Sequence, residues 1–142
     1  MPDRFQLQRF VDAQASTYAA ALSELRAGRK SGHWIWFVFP QLRGLGRSPM
    51  ASHYGIESLA EAKAYLGHPV LGPRLVECAQ ALLDVTGLTA PQILGGIDAL
   101  KVRSSMTLFA VADARHPVFG EVLDRYYDGL GDPVTLEMLG AA

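Results

Sequence analysis

A chain of 142 residues, 49% hydrophobic and 19% charged, is long enough for one domain, here 1–142, with a real core: at this length roughly 68–70% of the unfolded surface is buried. Thirteen basic against fourteen acidic residues leave a net charge of −1, so global charge points to neither nucleic acid nor an anionic membrane. The lone cysteine, Cys78, excludes an intramolecular disulfide and a Cys-rich zinc site. No apolar run reaches the roughly 20 residues of a membrane span, and the opening Met1 to Gln8 lacks the apolar stretch of a secretory signal, so a cytoplasmic location is expected.

The first ordered segment is Phe5 to Val11. A helix follows with Ser16 or Thr17 as N-cap, Tyr18, Ala21, Leu22 and Leu25 at helical spacing, and Gly28 as its stop. The next segment concentrates both tryptophans and two phenylalanines between Trp34 and Phe39, with Lys30 and His33 before it and Gln41 and Arg43 after. A run this apolar belongs in the core whether strand or helix, and periodicity does not separate the two; aromatic and β-branched enrichment leans to strand. From Leu42 to Ile56 the chain is rich in Gly, Ser and Pro and reads as one long ordered loop, with a helical turn after Ser48 as an option.

Helices dominate the remainder. Ser58 and Glu61 form a capping-box pattern, Pro69 suits the first position of a helix running to Gly87, and Thr89 and Gln92 form a second box. The internal Gly72-Pro73 pair delays or kinks the start of the helix after Pro69. Asp98 is the expected cap of a helix to about Ala112, Pro117 starts another that Gly129 stops, and Asp132-Pro133 opens a terminal turn. The expected architecture is all-α: a compact, non-bundle domain of six or seven short helices with one long Gly/Ser/Pro-rich loop.

Three polar clusters stand beside apolar anchors. In the first, Lys30 and Arg43 suit an anion, His33 suits acid–base work near neutral pH, and the faces of Trp34 and Trp36 suit a planar ring or a cation. The plain alternative is that the indoles fill the core and the cations reach past them to water. In the second, Gly44, Gly46, Arg47 and Ser48 can form an anion nest or simply a tight turn; the pattern is neither a P-loop nor a dinucleotide fingerprint. In the third, Lys101 shares a helix face with Ser105, and Arg103 shares another with Thr107. Small hydroxyls in mid-helix mean either close packing or a polar pocket wall. No His, Asp or Glu set has metal-ligand spacing, so no metal or cofactor is expected. His53 sits in the long loop beside Tyr54, while His68 and His116 each precede a proline and read as helix-start residues.

Lys30-x-x-His33-Trp34-x-Trp36-x-x-Phe39-Pro40-Gln41, Gly44-x-Gly46-x-Ser48, Tyr54-Gly55-Ile56-x-Ser58-Leu59-x-Glu61-Ala62 and Leu100-Lys101-x-Arg103-Ser104-Ser105-Met106-Thr107-Leu108-Phe109 together resemble the bacterial family called domain of unknown function 1810. The resemblance spans nearly the whole chain and implies a small, mainly helical domain, which favours helix for the aromatic segment. Members have sometimes been labelled calpastatin. A calpain-inhibitory segment is disordered and charged, whereas this chain is globular and apolar-rich. The resemblance brings no activity with it.

The functional expectation is therefore built from the clusters. It is a pocket for a small anionic ligand, a nucleotide being one candidate, with or without turnover. Trp34, Gln41, Arg43, Arg47, Ser48, Lys101, Arg103 and Ser105 are the candidate binding residues. His33 is the candidate acid–base group, and Lys30 or Arg103 the charge stabiliser. The rival is a non-enzymatic protein-interaction module using the Trp-rich segment and the following loop. A third reading leaves the aromatic block as core and places the function elsewhere. The deciding geometry is whether Lys30 and His33 face Lys101 and Arg103.

Overall fold

The computed structural model describes residues 3–113 and 115–140. Among them are ten helices and no strand: α1 (Gln8–Ala15), α2 (Tyr18–Arg26), α3 (Ile35–Val38), α4 (Pro49–His53), α5 (Leu59–Gly67), α6 (Leu71–Asp84), α7 (Ala90–Leu94), α8 (Gly96–Ala112), α9 (Val118–Tyr126) and α10 (Pro133–Met138). The all-α expectation stands. The count of six or seven was low because α3, α4 and α10 are only four to six residues long, too short to show a helical period.

α8 is the axis of the molecule, packed by α5, α7, α9, α10 and α3. An element contacted from so many directions needs small or apolar side chains on every face. Residues 104–109 of α8, Ser-Ser-Met-Thr-Leu-Phe, are all buried. Two of their three hydroxyls are satisfied locally or by the chain that docks there, and Ser105 Oγ has no partner among the described residues. Thr107 Oγ1 donates to the Arg103 carbonyl and accepts the Asp132 N–H, and Ser104 Oγ lies 3.2 Å from both the Leu100 carbonyl and the Asp132 carboxylate. Close packing and docking of α10 thus explain the Ser-Ser-x-Thr run. The remaining core is aromatic: Phe10, Trp34, Phe39, Tyr65, Phe109 and Phe119 are fully buried, with edge-on packing of Phe10 against Tyr65.

Several boundaries differ from expectation. The N-cap of α8 is Gly95, at φ 87°, and Asp98 sits inside the first turn. α6 starts at Leu71 rather than Pro69, and the His68 Nδ1 accepts the N–H groups of Val70 and Leu71. Thr17 holds the N-cap position of α2, yet its hydroxyl donates back to the Ala13 carbonyl. The box at Ser58 is half formed: Ser58 Oγ accepts the Glu61 N–H, but the buried Glu61 carboxylate turns to the Glu57 N–H and to Arg9. The Thr89–Gln92 box is complete.

The aromatic segment is helical, as the family resemblance implied, but for only one turn. α3 leaves Trp36 alone half-buried between buried Ile35 and Phe37. The long loop is ordered by α4, whose N-cap Ser48 accepts the Ala51 N–H, and by one parallel bridge between Leu42 and Ile56. No helix among the described residues is long and apolar enough to cross a membrane.

Candidate functional site

The loop from α2 to α3 is built around Glu24. Its Oε1 accepts the N–H of Ser31 at 2.7 Å, of Gly32 at 2.8 Å and of the Trp34 indole at 3.0 Å. Burial pushes the Glu24 carboxyl up, but the Gly32 and Ser31 amides, the Trp34 indole and the Lys30 charge outweigh it and hold the group below its usual range. This fixes Trp34 in the core and brings Lys30 across its face, with Nζ 4.9 Å from the ring centroid.

Lys30 is closely held. Its Nζ lies 2.5 Å from the Gly32 carbonyl and 2.7 Å from Asp98 Oδ2, and only 7% of the side chain is exposed. Its backbone N–H donates to Ile93 at the end of α7, so the loop is tied to the α7–α8 junction at two points. Asp98 also faces Lys101, whose Nζ is 3.9 Å from Oδ1 and 5.0 Å from the centre of the Trp36 ring. Two lysines therefore stand over two indoles and share one carboxylate. Cation–π contacts of this kind are worth about 0.5–2 kcal/mol each, more when water is excluded.

Beside this cluster opens a cleft of about 370 Å³, with Lys30, His33, Trp36, Asp98 and the Leu94–Ile97 turn in its walls. His33 is exposed on it. Beneath Trp36 lies a void of about 10 Å³ bordered by Gln41, Tyr54 and Lys101, room for about one water. The Trp36 Nε1–H is buried with no acceptor among the described residues.

The structure thus brings together Lys30, His33 and Lys101 around Trp36, with Gln41 under the same ring. It places the other candidates elsewhere. Arg103 donates to the carbonyls of Leu130 and Gly131, both at 3.0 Å, and holds the segment leading into α10. Ser105 is fully enclosed in the core, and its Oγ has no partner among the described residues. Arg43 donates to the Ser52 and Gly55 carbonyls and lines a separate groove. Ser48 is occupied as a helix cap, and Arg47 is exposed. Trp34 is core, 1% exposed, and reaches the cleft only through Lys30.

Sequence reasoning missed Asp98, the residue that joins the two lysines, because a capping role already explained it. The i,i+3 spacing of Asp98 and Lys101 was the available signal. A larger cavity of about 630 Å³ opens between α5 and α6, with Leu66, Val76 and Glu77 in its walls and His116 at its edge; none of the candidate residues lines it. Among the described residues no group of three or more His, Cys, Asp or Glu side chains is placed to hold a metal ion.

Fold and cleft define an all-α protein with a lysine- and indole-lined cleft at the start of its longest helix. The family model described as protein of unknown function, DUF1810, matches residues 4–139, and the chain belongs to that family. It is similar to the conserved hypothetical protein Rv1873 from Mycobacterium tuberculosis, whose crystal structure was determined at 1.38 Å: the two are 54% identical over 99% of this chain and 100% of the other, with a TM-score of 0.96. No curated protein matches.

Proposed function

We propose that the cleft between α3 and the α7–α8 turn binds a small anion carrying an apolar or planar body. The observation that carries this reading is the convergence of Lys30 and Lys101, residues 71 positions apart in a 142-residue chain, on Asp98 above two indoles. Asp98 is the one carboxylate that bridges the two ammonium groups, and Glu24, the other carboxylate acting on Lys30, already spends Oε1 on the Ser31, Gly32 and Trp34 N–H groups. The first turn of α8, which opens at Gly96 on the same cleft, adds partial positive charge of the same sign. Trp36, Leu94 and Ile97 supply the apolar wall. A volume near 370 Å³ lies at the small end of ligand pockets, which run from about 300 to 1,000 Å³. His33 is the imidazole on this cleft, and it is the group placed to exchange a proton with a bound ligand.

The test is a thermal-shift series with nucleoside monophosphates, sugar phosphates and aromatic carboxylates on the wild type and on Lys101→Gln. A ligand at about 100 times its Kd stabilises by about 2.7 kcal/mol, and loss of Lys101 is expected to weaken it about tenfold. If no anion moves the melting point, or if the shift is unchanged in Lys101→Gln, the reading fails.

A second reading rests on Ile97 and Leu100, which are 73% and 65% exposed in the first turns of α8 beside the cleft. Large apolar side chains held outward next to aromatic rings suit a protein partner. Under this reading Ile97→Ser abolishes capture of the partner, while Lys101→Gln leaves it intact.

A further inference from the structure

Among the polar side chains of the long loop that the Lys30 cleft does not use are Arg43 and His53. Both line a groove of about 490 Å³ whose other walls come from Ser52, the start of the chain through Arg9, and Glu57 and Glu61 at the start of α5, and no lining residue is shared with the Lys30 cleft. Its scaffold is Arg9. All five of that guanidinium's N–H groups are engaged: Nε on His53 O at 2.9 Å, Nη1 on the carbonyls of Phe5 and Gln6, and Nη2 on Gly55 O at 3.0 Å and Glu61 Oε2 at 2.9 Å. Arg9 is structural, and Glu61 neutralises it.

Arg43 is anchored in the same place but not saturated. Its Nε donates to Ser52 O at 3.2 Å and its Nη2 to Gly55 O at 3.3 Å, the same carbonyl oxygen that Arg9 uses. Two guanidinium groups thus stand on one carbonyl. Among the described residues Arg43 pairs with no carboxylate, and its Nη1 makes no hydrogen bond. Like charges held this close repel, and Glu57, the second carboxylate of the groove, makes no ion pair with Arg43. Position 55 is fixed as glycine by the same geometry, because a Cβ there would lie 2.6 Å from the Arg43 Cα. Arg4 supplies a third guanidinium to the groove lining, stacked on Phe5 at 4.9 Å. The remaining charged groups facing the groove are Glu57, which is exposed, and His53.

We propose that this groove binds a small oxyanion, a carboxylate or phosphate group on a polar body, between the Nη1 edge of Arg43 and Arg4. With Arg9 and Glu61 cancelling, Arg4 and Arg43 against Glu57 leave one positive charge in excess, and a single oxyanion balances it. The planar guanidinium fork matches either oxyanion in two-point contact. A volume of 490 Å³ exceeds a bare oxyanion, and Gln6 and Ser52 on the walls suit hydroxyl or amide groups on the body that carries it. The anchoring of Arg43 by two backbone carbonyls lowers the side-chain entropy lost when the ligand binds.

The experiment is an NMR titration of the isotope-labelled full chain with inorganic phosphate and, separately, with acetate. Sodium chloride at matched ionic strength is the control. The signals followed are the Arg43 Nε–H and the backbone amides of Ser52, His53 and Gly55, against those of Gly95, Gly96 and Ile97 in the Lys30 cleft. Saturable shifts at the first set are expected for at least one oxyanion, and whichever binds identifies the source as phosphate or carboxylate. Arg4→Gln and Glu57→Gln alter exposed side chains and leave the fold intact. Removing the cation is expected to raise Kd at least about threefold, and removing the carboxylate to lower it at least about twofold. Linear shifts like those of chloride, changes confined to Gly95–Ile97, or a Kd unmoved by both variants overturns the proposal. The lysine cleft stands or falls separately, by its own response to Lys101→Gln.

Discussion

Asp98 has two jobs with opposite signs. It satisfies Lys30, whose side chain is 93% buried, and under the proposed anion reading it offsets one of the two lysine charges that would face the ligand. Asp98→Asn is therefore expected to lower stability and to raise affinity for anions. Stranding a buried charge costs about 3–5 kcal/mol, and the low end applies here because Lys30 Nζ keeps the Gly32 carbonyl. Urea denaturation should show a loss of about 3 kcal/mol, and calorimetric titration should show tighter binding of whichever anion the thermal-shift series finds. A variant that loses both stability and affinity would mean that Asp98 itself contacts the ligand. At this scale the sequence was half legible. Lys30, His33 and Trp36 were visible because polar groups pressed against an apolar run must surface at the rim of the core. Asp98 and Glu24 were not, since each has a local reading, as cap or helix surface, and the partner that gives it another role lies elsewhere in the fold. Arg103 and Arg43 show the converse. Their donors are consumed by backbone carbonyls of loops, and nothing in a sequence says which carbonyls a loop leaves unpaired.

Among the elements, capping chemistry was the most readable signal. Thr89 with Gln92, Ser58 with Glu61, and the positive-φ glycines 28 and 129 mark helix ends where residue types dictated them. Of the shortest helices, α7 was legible from its capping box and α4 and α10 only as turns opening at Ser48 and Asp132, because four to six residues carry no period. Their stability comes from what they dock on rather than from propensity. α10 is the clearest case. It is held to α8 through Asp132, whose carboxylate accepts the Thr135 N–H and lies 3.2 Å from Ser104 Oγ, and through Arg103 on the preceding carbonyls. Arg103→Met keeps the hydrophobic stem and removes two charge-assisted bonds, each worth about 1.5–3 kcal/mol at full burial and less here because Leu130 is exposed. The expected result is a destabilisation of about 2 kcal/mol with faster amide exchange confined to residues 130–139 and unchanged anion affinity in the Lys30 cleft. Weakened binding in that variant would place Arg103 back in the site.

Over the whole molecule, charge and fold say different things about ligands, and the difference is measurable. A net charge of −1 gives an approaching anion no favourable long-range field, so nothing in the bulk composition advertised a site. In the proposed anion cleft, affinity would come from lysines met at contact distance, on a helix start that the packing of α7 and α8 presents beside the aromatic turn. Such short-range, partly buried contacts are screened far less than an extended basic face, because the Debye length is about 10 Å at 0.1 M salt and the charges concerned already lie within 4 Å of each other's partner. Raising sodium chloride from about 0.05 to about 0.5 M is therefore expected to weaken anion binding in the lysine cleft by less than about tenfold. Asp98→Asn, which removes one negative charge from the cluster, should steepen that dependence, while Lys101→Gln, which removes one positive charge, should flatten it. The three proteins titrated in parallel separate a contact site from a diffuse one. Equal slopes in all three would show that the lysines meet the anion only through the averaged field, and a wild-type loss well beyond tenfold would mean that a broader basic surface does the binding.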